Sequence, residues 1–214
     1  MKGRILAASA LLLLSVSERA AAQTWEVGVG GGGSFYTSKT VTAGRVTGDA
    51  KLGNGWMLTG YLGNNVSERW GGEIRYAYQQ NDLQLQSGGT TVNFGARSHA
   101  IHYDFLFHAT KREARVRPFV AFGAGFKGYQ GTGREVPVQP LSNLAFLTRT
   151  NDWKPLISVG GGVKFRLGKN GMIRAEIKDY ITQVPTNLIA PAPGAKLSGW
   201  FHNFVAMFGV GWVF

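Results

Sequence analysis

HNFVAMFGVGWVF, residues 202–214, is the stretch that decides the fold class. Counted back in twos from the end, the side chains of one set of alternating positions are all apolar: Phe214, Trp212, Val210, Phe208, Ala206 and Phe204. A strict period of two predicts a β-strand with one continuous apolar face. Water-soluble proteins rarely finish on such a strand, because an exposed apolar edge promotes aggregation. The pattern therefore favours a strand that faces something other than water.

The N-terminal stretch has the three parts of a secretory signal peptide. Lys2 and Arg4 precede an apolar run at 5–16, and the alanines at 20–22 offer a cleavage site. The apolar run is too short and wrongly flanked for a membrane-spanning helix. We therefore predict a signal peptide at 1–22 and one exported domain at 23–214.

The composition restricts how this chain could enter a membrane. The sequence contains no cysteine, which excludes a disulfide scaffold, a thiolate nucleophile and a cysteine-ligated zinc site. Beyond the N-terminal run, no stretch approaches the roughly 18 consecutive apolar residues that a spanning helix needs. Insertion must then use strands, and only a closed barrel satisfies every backbone group in lipid.

The formal net charge is +11, which raises the question of nucleic-acid binding. The basic residues are scattered singly through alternating segments, and the chain carries an export signal. We therefore predict no nucleic-acid partner. Anionic lipopolysaccharide head groups or anionic solutes are the expected counterpart of this charge.

Alternating segments recur along the whole exported part of the chain. They predict eight strands at 25–35, 56–64, 70–79, 100–108, 116–127, 155–167, 172–180 and 202–214. Asp179 falls on the apolar face of the seventh strand, so we expect a bulge or an early exit from the bilayer there. The turn at 168–171, Gly-Lys-Asn-Gly, carries the Asn-Gly signature of a tight hairpin.

The connections between these strands alternate strictly between short and long. Four long loops, at 38–53, 81–97, 130–151 and 183–198, are rich in Gly, Ser, Thr, Asn and Pro. Short turns at one end and long loops at the other are typical of outer-membrane barrels. Every tryptophan also falls near a predicted strand end, as interfacial aromatic girdles require: Trp25, Trp70 and Trp212 at the turn end, and Trp56, Trp153 and Trp200 at the loop end.

The predicted domain at 23–214 resembles the small eight-stranded outer-membrane β-barrels of the OmpA/OmpX type. The resemblance rests on the signal peptide, the eight alternating strands, the turn at 168–171 and the terminal Gly-Trp-Val-Phe. It implies an all-β, antiparallel, up-and-down transmembrane barrel in the bacterial outer membrane. It also implies that the terminal aromatic row is the signal read by the outer-membrane assembly machinery: Phe208, Val210, Trp212 and Phe214.

Charged residues occupy the predicted inward face of the strands. They are Glu26, Glu73, Arg75, Asp104, Arg117, Lys127, Lys164, Arg166, Arg174, Glu176 and Lys178. Eight strands enclose a space just wide enough for side chains to fill. Unpaired charges buried there would cost several kcal/mol each, so they should pair across the lumen or keep water. A closed polar plug is the main expectation, and a narrow anion-favouring pore is the alternative.

Two glycine patterns match a dinucleotide fingerprint, Gly-x-Gly-x-x-Gly, at positions 28–33 and 123–128. The fingerprint requires a following helix, and neither pattern opens one. Inward glycines instead leave volume for long charged side chains across a narrow lumen. We therefore expect no cofactor.

The sequence gives little support for a metal site. His102, Asp104 and His108 share a predicted inward face, but one ion cannot reach both histidines along a strand, so no metal site is predicted.

Some barrels of the resembled type modify lipid A with a serine and a histidine. Here Ser98-His99 is the nearest pairing, and nothing orients it as a nucleophile and base. A lipid-A-modifying enzyme is the third hypothesis, and we predict no enzymatic activity. The leading hypothesis is a structural or surface-interaction role, with an extracellular ligand reached through the loops.

Overall fold

The computed structural model describes residues 25–214, so the predicted signal peptide at 1–22 lies outside the described residues. Within them, eight antiparallel strands form a closed barrel. With all strands numbered in chain order, the barrel strands are β1 (Trp25–Tyr36), β4 (Gly55–Asn64), β5 (Trp70–Gln80), β8 (Ala96–His108), β9 (Val116–Gly131), β11 (Asn151–Leu167), β12 (Gly171–Gln183) and β15 (Trp200–Val213). Seven shorter strands lie between them: β2 (Lys39–Ala43), β3 (Val46–Leu52), β6 (Leu83–Ser87), β7 (Thr90–Phe94), β10 (Ala145–Leu147), β13 (Ile189–Pro191) and β14 (Ala195–Lys196).

The barrel has up-and-down topology, because each barrel strand pairs with the barrel strands that precede and follow it in the chain. The first and last strands close the ring, from Glu26 opposite Val213 to Tyr36 opposite Asn203. The Trp25 N–H also donates to the Phe214 carbonyl, at 3.1 Å. The predicted eight-stranded all-β barrel is confirmed. No helix in the described part of the chain is long and apolar enough to cross a membrane.

The outer wall of the barrel is apolar because one residue in two along each strand points outward. Phe208 is 73% exposed, and Val29 and Val210 on neighbouring strands are also exposed. All six tryptophans are exposed near strand ends, where two aromatic girdles would meet the membrane interfaces. An apolar wall of this kind is stable against lipid chains and would not be stable in water.

The barrel strands are longer than predicted at the loop end. The strand predicted at 116–127 continues to Gly131, and that predicted at 155–167 begins at Asn151. The bulge expected at Asp179 is wrong, because β12 pairs without interruption with β11 and with β15. The Asp179 carboxylate instead lies 2.6 Å from Nδ1 of His202 on the neighbouring strand. A local partner removes the need to distort the backbone around an outward carboxylate.

The hairpin between β11 and β12 differs from its predicted form. Its loop comprises residues 168–170, since Leu167 pairs with Gly171. The left-handed residue is Gly168, with φ of 66°, and not a residue of the Asn-Gly pair. The Asn170 side chain donates to the Val213 carbonyl at 2.7 Å, which ties this turn to the last strand.

The four long loops fold into a structure of their own, which we call the loop cap. It consists of a five-stranded sheet in the order β14-β2-β3-β6-β7 and the two-stranded pair β10–β13. Two tight hairpins build the sheet, with positive φ at Gly44 in the first and at Gly88 and Gly89 in the second. Left-handed Gly-Gly pairs are favoured in two-residue hairpins because their twist matches that of the flanking strands.

A hydrophobic cluster joins the loop cap to the end of the barrel. Its fully or almost fully buried apolar members come from all four long loops and from barrel strand ends: Tyr36, Val41, Ala50, Leu52, Leu83, Leu85, Phe94, Ala96, Tyr129, Leu144, Ala145, Leu147, Val184, Leu188, Ile189, Leu197 and Phe201. From the sequence, the proline-containing loop segments at 137–140 and 185–193 are predicted to be extended and partly rigid, and no common core of the four loops is predicted. Their buried core instead gives them tertiary structure.

Candidate functional site

Four charged side chains cross the middle of the barrel and block it. Glu73 and Arg75 lie on β5, and Arg174 and Glu176 lie on β12, which is diametrically opposite in the ring. Arg75 donates to Glu73 at 2.6 Å and to Glu176 at 2.5 Å. Arg174 donates to Glu73 at 2.6 Å and also contacts Glu176. We call these four residues the arginine–glutamate quartet.

The quartet is closed to solvent. Its side chains are at most 1% exposed, and each guanidinium bridges both carboxylates. Buried ions of this kind are tolerated only when hydrogen bonds satisfy most of their polar atoms. Tyr61 adds cation–π contacts, because the guanidinium groups of Arg75 and Arg174 lie over its ring at 5.4 and 4.7 Å. The alternation of charge therefore holds two opposite walls of the barrel together.

Two further ion pairs lie on either side of the quartet along the barrel axis. Towards the turn end, Lys164 donates to Glu26 at 2.8 Å. Towards the loop end, Lys178 contacts Asp104, and His102 Nε2 lies 3.2 Å from the same carboxylate. Each pair joins strands that are not neighbours in the ring, so it spans the lumen.

Small residues on the inward face make room for these long side chains. A Cβ added at Gly123 would collide with the Tyr103 carbonyl and with the Asp104 side chain. A Cβ added at Gly28 would collide with the ring of Tyr61. Both glycine patterns singled out in the sequence lie within barrel strands. Their inward members leave volume in the lumen, whereas Gly33 and Gly128 face outward, where a Cβ would collide with the rings of Phe35 and Trp153.

A buried lysine closes the lumen near the loop end, and none of the carboxylates in residues 25–214 forms an ion pair with it. Lys127 donates to the side-chain oxygens of Gln79 at 2.6 Å and Asn203 at 2.8 Å. Its ammonium also lies over three tyrosine rings, at 4.9 Å from that of Tyr36 and 5.4 Å from those of Tyr129 and Tyr180. Cation–π contacts strengthen when the cation is desolvated. Between this lysine and the quartet lies an apolar layer that includes Met57, Ala77, Ala100 and Val205.

The structure brings together eight of the eleven inward charges predicted from the sequence: Glu26, Glu73, Arg75, Asp104, Lys164, Arg174, Glu176 and Lys178. Lys127, Arg117 and Arg166 stand apart from this group. Arg166 is only half-buried, at the turn end. Sequence reasoning missed the partners of Lys127, although alternation places all of them on inward positions: Gln79, Asn203, Tyr36, Tyr129 and Tyr180.

The weaker constellations are separated by the fold. Ser98 points into the lumen and donates to Gln79 at 3.2 Å. His99 lies on the other face of the same strand, with Nδ1 2.7 Å from the Tyr76 hydroxyl. The two side chains therefore cannot act together as a nucleophile and a base. His108 Nδ1 lies 3.2 Å from the Arg69 carbonyl at the turn end, far along the strand from His102.

The terminal aromatic row lies on the outer wall. Phe208, Val210, Trp212 and Phe214 are all exposed, so they face lipid. Recognition of this row by the outer-membrane assembly machinery stays a prediction. Contact between basic residues of the protein and lipopolysaccharide also stays a prediction.

The turn end of the lumen holds a small basic cavity. It is lined by Arg112, Arg117, Lys164 and Arg166, together with Glu26 and Asn65. Its lining residues come from the short turns and the adjoining strand ends, at the opposite end from the loop cap.

Comparison with known proteins agrees with this architecture. A model of the outer membrane protein β-barrel domain matches residues 6–214. Neisserial surface protein A has a similar solved structure, with a TM-score of 0.54 and 10% identity, covering 89% of this chain and 97% of that one. OprG from Pseudomonas aeruginosa gives a TM-score of 0.56 at 10% identity, covering 91% and 98%. AlkL, solved in lipid bilayers, gives 0.50 at 14%, covering 93% and 94%.

No curated protein sequence matches the chain. At these identities the structural likeness shows the fold alone, and the family model supplies the family. The family description denotes an outer-membrane protein. The predicted location in the bacterial outer membrane is confirmed. The chain belongs to the outer membrane protein β-barrel domain family.

Proposed function

We propose that this protein is a closed outer-membrane barrel with a structural or surface-interaction role, exerted through the loop cap. The observation that carries the proposal is the filled lumen. Buried side chains occupy it at the Glu26–Lys164 pair, at the quartet, at Lys178 and Asp104, and at Lys127. The hydrophobic cluster of the loop cap lies over its far end.

The loop cap supports the surface part of the proposal. Long loops of outer-membrane barrels face the cell exterior, and binding residues are found preferentially on loops that a rigid scaffold positions. In this sheet the outward positions are polar, with Thr42, Asp49 and Gln86 on adjacent strands. A folded polar sheet offers a partner a fixed surface. Binding therefore loses little conformational entropy, because the loops are already ordered.

An anion-favouring pore is the second candidate, and one observation favours it. In the described part of the chain, the buried charges on inward positions of the barrel strands are six cations and five carboxylates: Arg75, Arg117, Lys127, Lys164, Arg174 and Lys178 against Glu26, Glu73, Asp104, Asp152 and Glu176. Ion conduction would require the quartet to separate, because its side chains span the barrel.

Single-channel conductance separates these two candidates. We expect the refolded domain in a planar bilayer, under a potassium chloride gradient, to insert without discrete openings above the lipid baseline. Insertion is verified independently by the heat-dependent gel shift of folded barrels. Regular openings with a reversal potential that indicates anion preference would contradict the closed-barrel proposal and favour the pore.

A further inference from the structure

The basic cavity at the turn end contains a buried guanidinium that the lumen network does not use. Arg117 is 7% exposed. Among residues 25–214, no carboxylate forms an ion pair with it, and its Nε has no hydrogen-bond partner. Its terminal nitrogens donate only to neutral oxygens, the Asn65 side chain at 3.2 Å and the Glu68 carbonyl at 3.4 Å. A buried charge without a counter-charge is costly, so an anion would stabilise it.

Two more guanidinium groups are fixed beside Arg117 by neutral carbonyls. Arg112 donates to the Asn65 carbonyl at 2.9 Å, and Arg166 donates to the Arg112 carbonyl at 3.1 Å. Within the described residues, neither forms an ion pair with a carboxylate, and Nε of Arg112 is buried without a partner. The three side chains line one cavity. Their positions are therefore set by the backbone of the turns before any ligand arrives.

Two carboxylates lie near this cavity. Glu26, which lines it, accepts from Lys164 at 2.8 Å through one oxygen, and its other oxygen is buried without a hydrogen-bond partner. Glu68 accepts from the backbone N–H of Arg112 at 3.4 Å. The cavity therefore keeps a surplus of positive charge, with Lys164 and three guanidinium groups in its lining, and Nε of Arg112 and Nε of Arg117 have no hydrogen-bond partner.

We propose that Arg112, Arg117 and Arg166 form a binding site for a phosphate-type oxyanion, entered from the periplasmic side. Guanidinium groups match phosphate oxygens with paired, charge-assisted hydrogen bonds. A phosphate carries enough charge and enough acceptor oxygens to serve three such groups at once. The same chemistry is found in free phosphate and in the head groups of phospholipids in the inner leaflet. The site is independent of the proposed surface role.

Calorimetric titration of inorganic phosphate into the refolded domain tests the site. The domain is held in uncharged maltoside micelles, and chloride at matched ionic strength is the reference. We expect saturable binding of one phosphate per barrel. Arg166→Gln and Arg117→Gln should each weaken it by about tenfold or more, because each removes a charge-assisted donor. Arg166 is half-buried with a single carbonyl contact, so its variant keeps the test valid if Arg117→Gln does not fold.

Arg115→Gln is the matched control, since Arg115 is exposed on the same turn. Its phosphate affinity should equal that of the wild type. The titration is repeated in nanodiscs that contain phosphatidylglycerol. If the affinity for inorganic phosphate is the same as in micelles, the site binds a soluble oxyanion. If phosphate binding is lost only in these nanodiscs, the lipid phosphate occupies the site. Heats equal to those of chloride, or equal affinity in wild type and both site variants, would overturn the proposal.

Discussion

Replacing Arg174 with methionine is expected to lower the free energy of unfolding by about 3–5 kcal/mol, the usual cost of removing one partner from a buried ion pair. Arg174 is fully buried and contacts both carboxylates of the quartet. Its loss leaves Glu73 and Glu176 with Arg75 as the remaining arginine between them. Methionine keeps much of the volume of the arginine side chain. The change in the free energy of unfolding therefore reflects the lost charge more than a new cavity. Equilibrium unfolding of the domain in lipid vesicles measures it.

Arg115→Met is the control for this experiment, since it makes the same substitution at an exposed turn residue. We expect it to change the free energy of unfolding by less than about 0.5 kcal/mol. Adding Glu176→Gln to Arg174→Met should cost less than the sum of the single changes, because the two side chains are in contact. A loss below about 1 kcal/mol for Arg174→Met would mean that water already solvates the quartet.

Replacing Leu144 with alanine is expected to release the loop cap while the barrel stays folded. Leu144 is fully buried in the cluster of the loop cap. Leucine-to-alanine changes in packed cores cost roughly 2–5 kcal/mol. Trypsin treatment of intact cells should then cleave the cap about 30-fold faster or more, at exposed residues such as Arg134 and Arg149.

The control for the loop cap is Val138→Ala, which shortens an apolar residue that is 83% exposed in the same region. It should leave the cleavage rate unchanged. Equal protection of Leu144→Ala and wild type would show that this cluster does not hold the loops. Loss of the barrel's gel shift in Leu144→Ala would show that cap and barrel unfold as one unit.

The barrel could be predicted from the sequence because its determinants are local. Alternation along a strand decides which side chains meet lipid, as with Phe204 and Phe208 against Asn203 and Met207. The partners inside the lumen could not be predicted in the same way. Lys127 meets Gln79 and Asn203 because of the stagger between strands that are distant in the chain, and alternation does not encode that stagger.

The loop cap was missed although part of its signal is visible. The Gly-Gly pair at 88–89 lies between two short alternating segments, which is a hairpin pattern. The pairing of β3 with β6, from Asp49 opposite Gln86 to Leu52 opposite Leu83, joins different loops. Such a contact exists only once the barrel has brought the loops together. Asp179 likewise gains a partner, His202, on the next barrel strand, at a register that alternation alone does not give.

Thiol accessibility inside the lumen tests the closed barrel most directly. The chain contains no cysteine, so each single variant carries one thiol. Ala100 is 1% exposed in the apolar layer, between the quartet and Lys127, whereas Val138 and Glu113 are exposed at the loop end and the turn end. A small, permanently charged methanethiosulfonate reagent is applied to each cysteine variant of the refolded domain. We predict that Ala100→Cys reacts about 100-fold more slowly, or slower still, than Val138→Cys and Glu113→Cys, because access requires opening of the packed lumen. Reaction within about tenfold of these two controls would mean a water-filled passage and contradict the closed lumen.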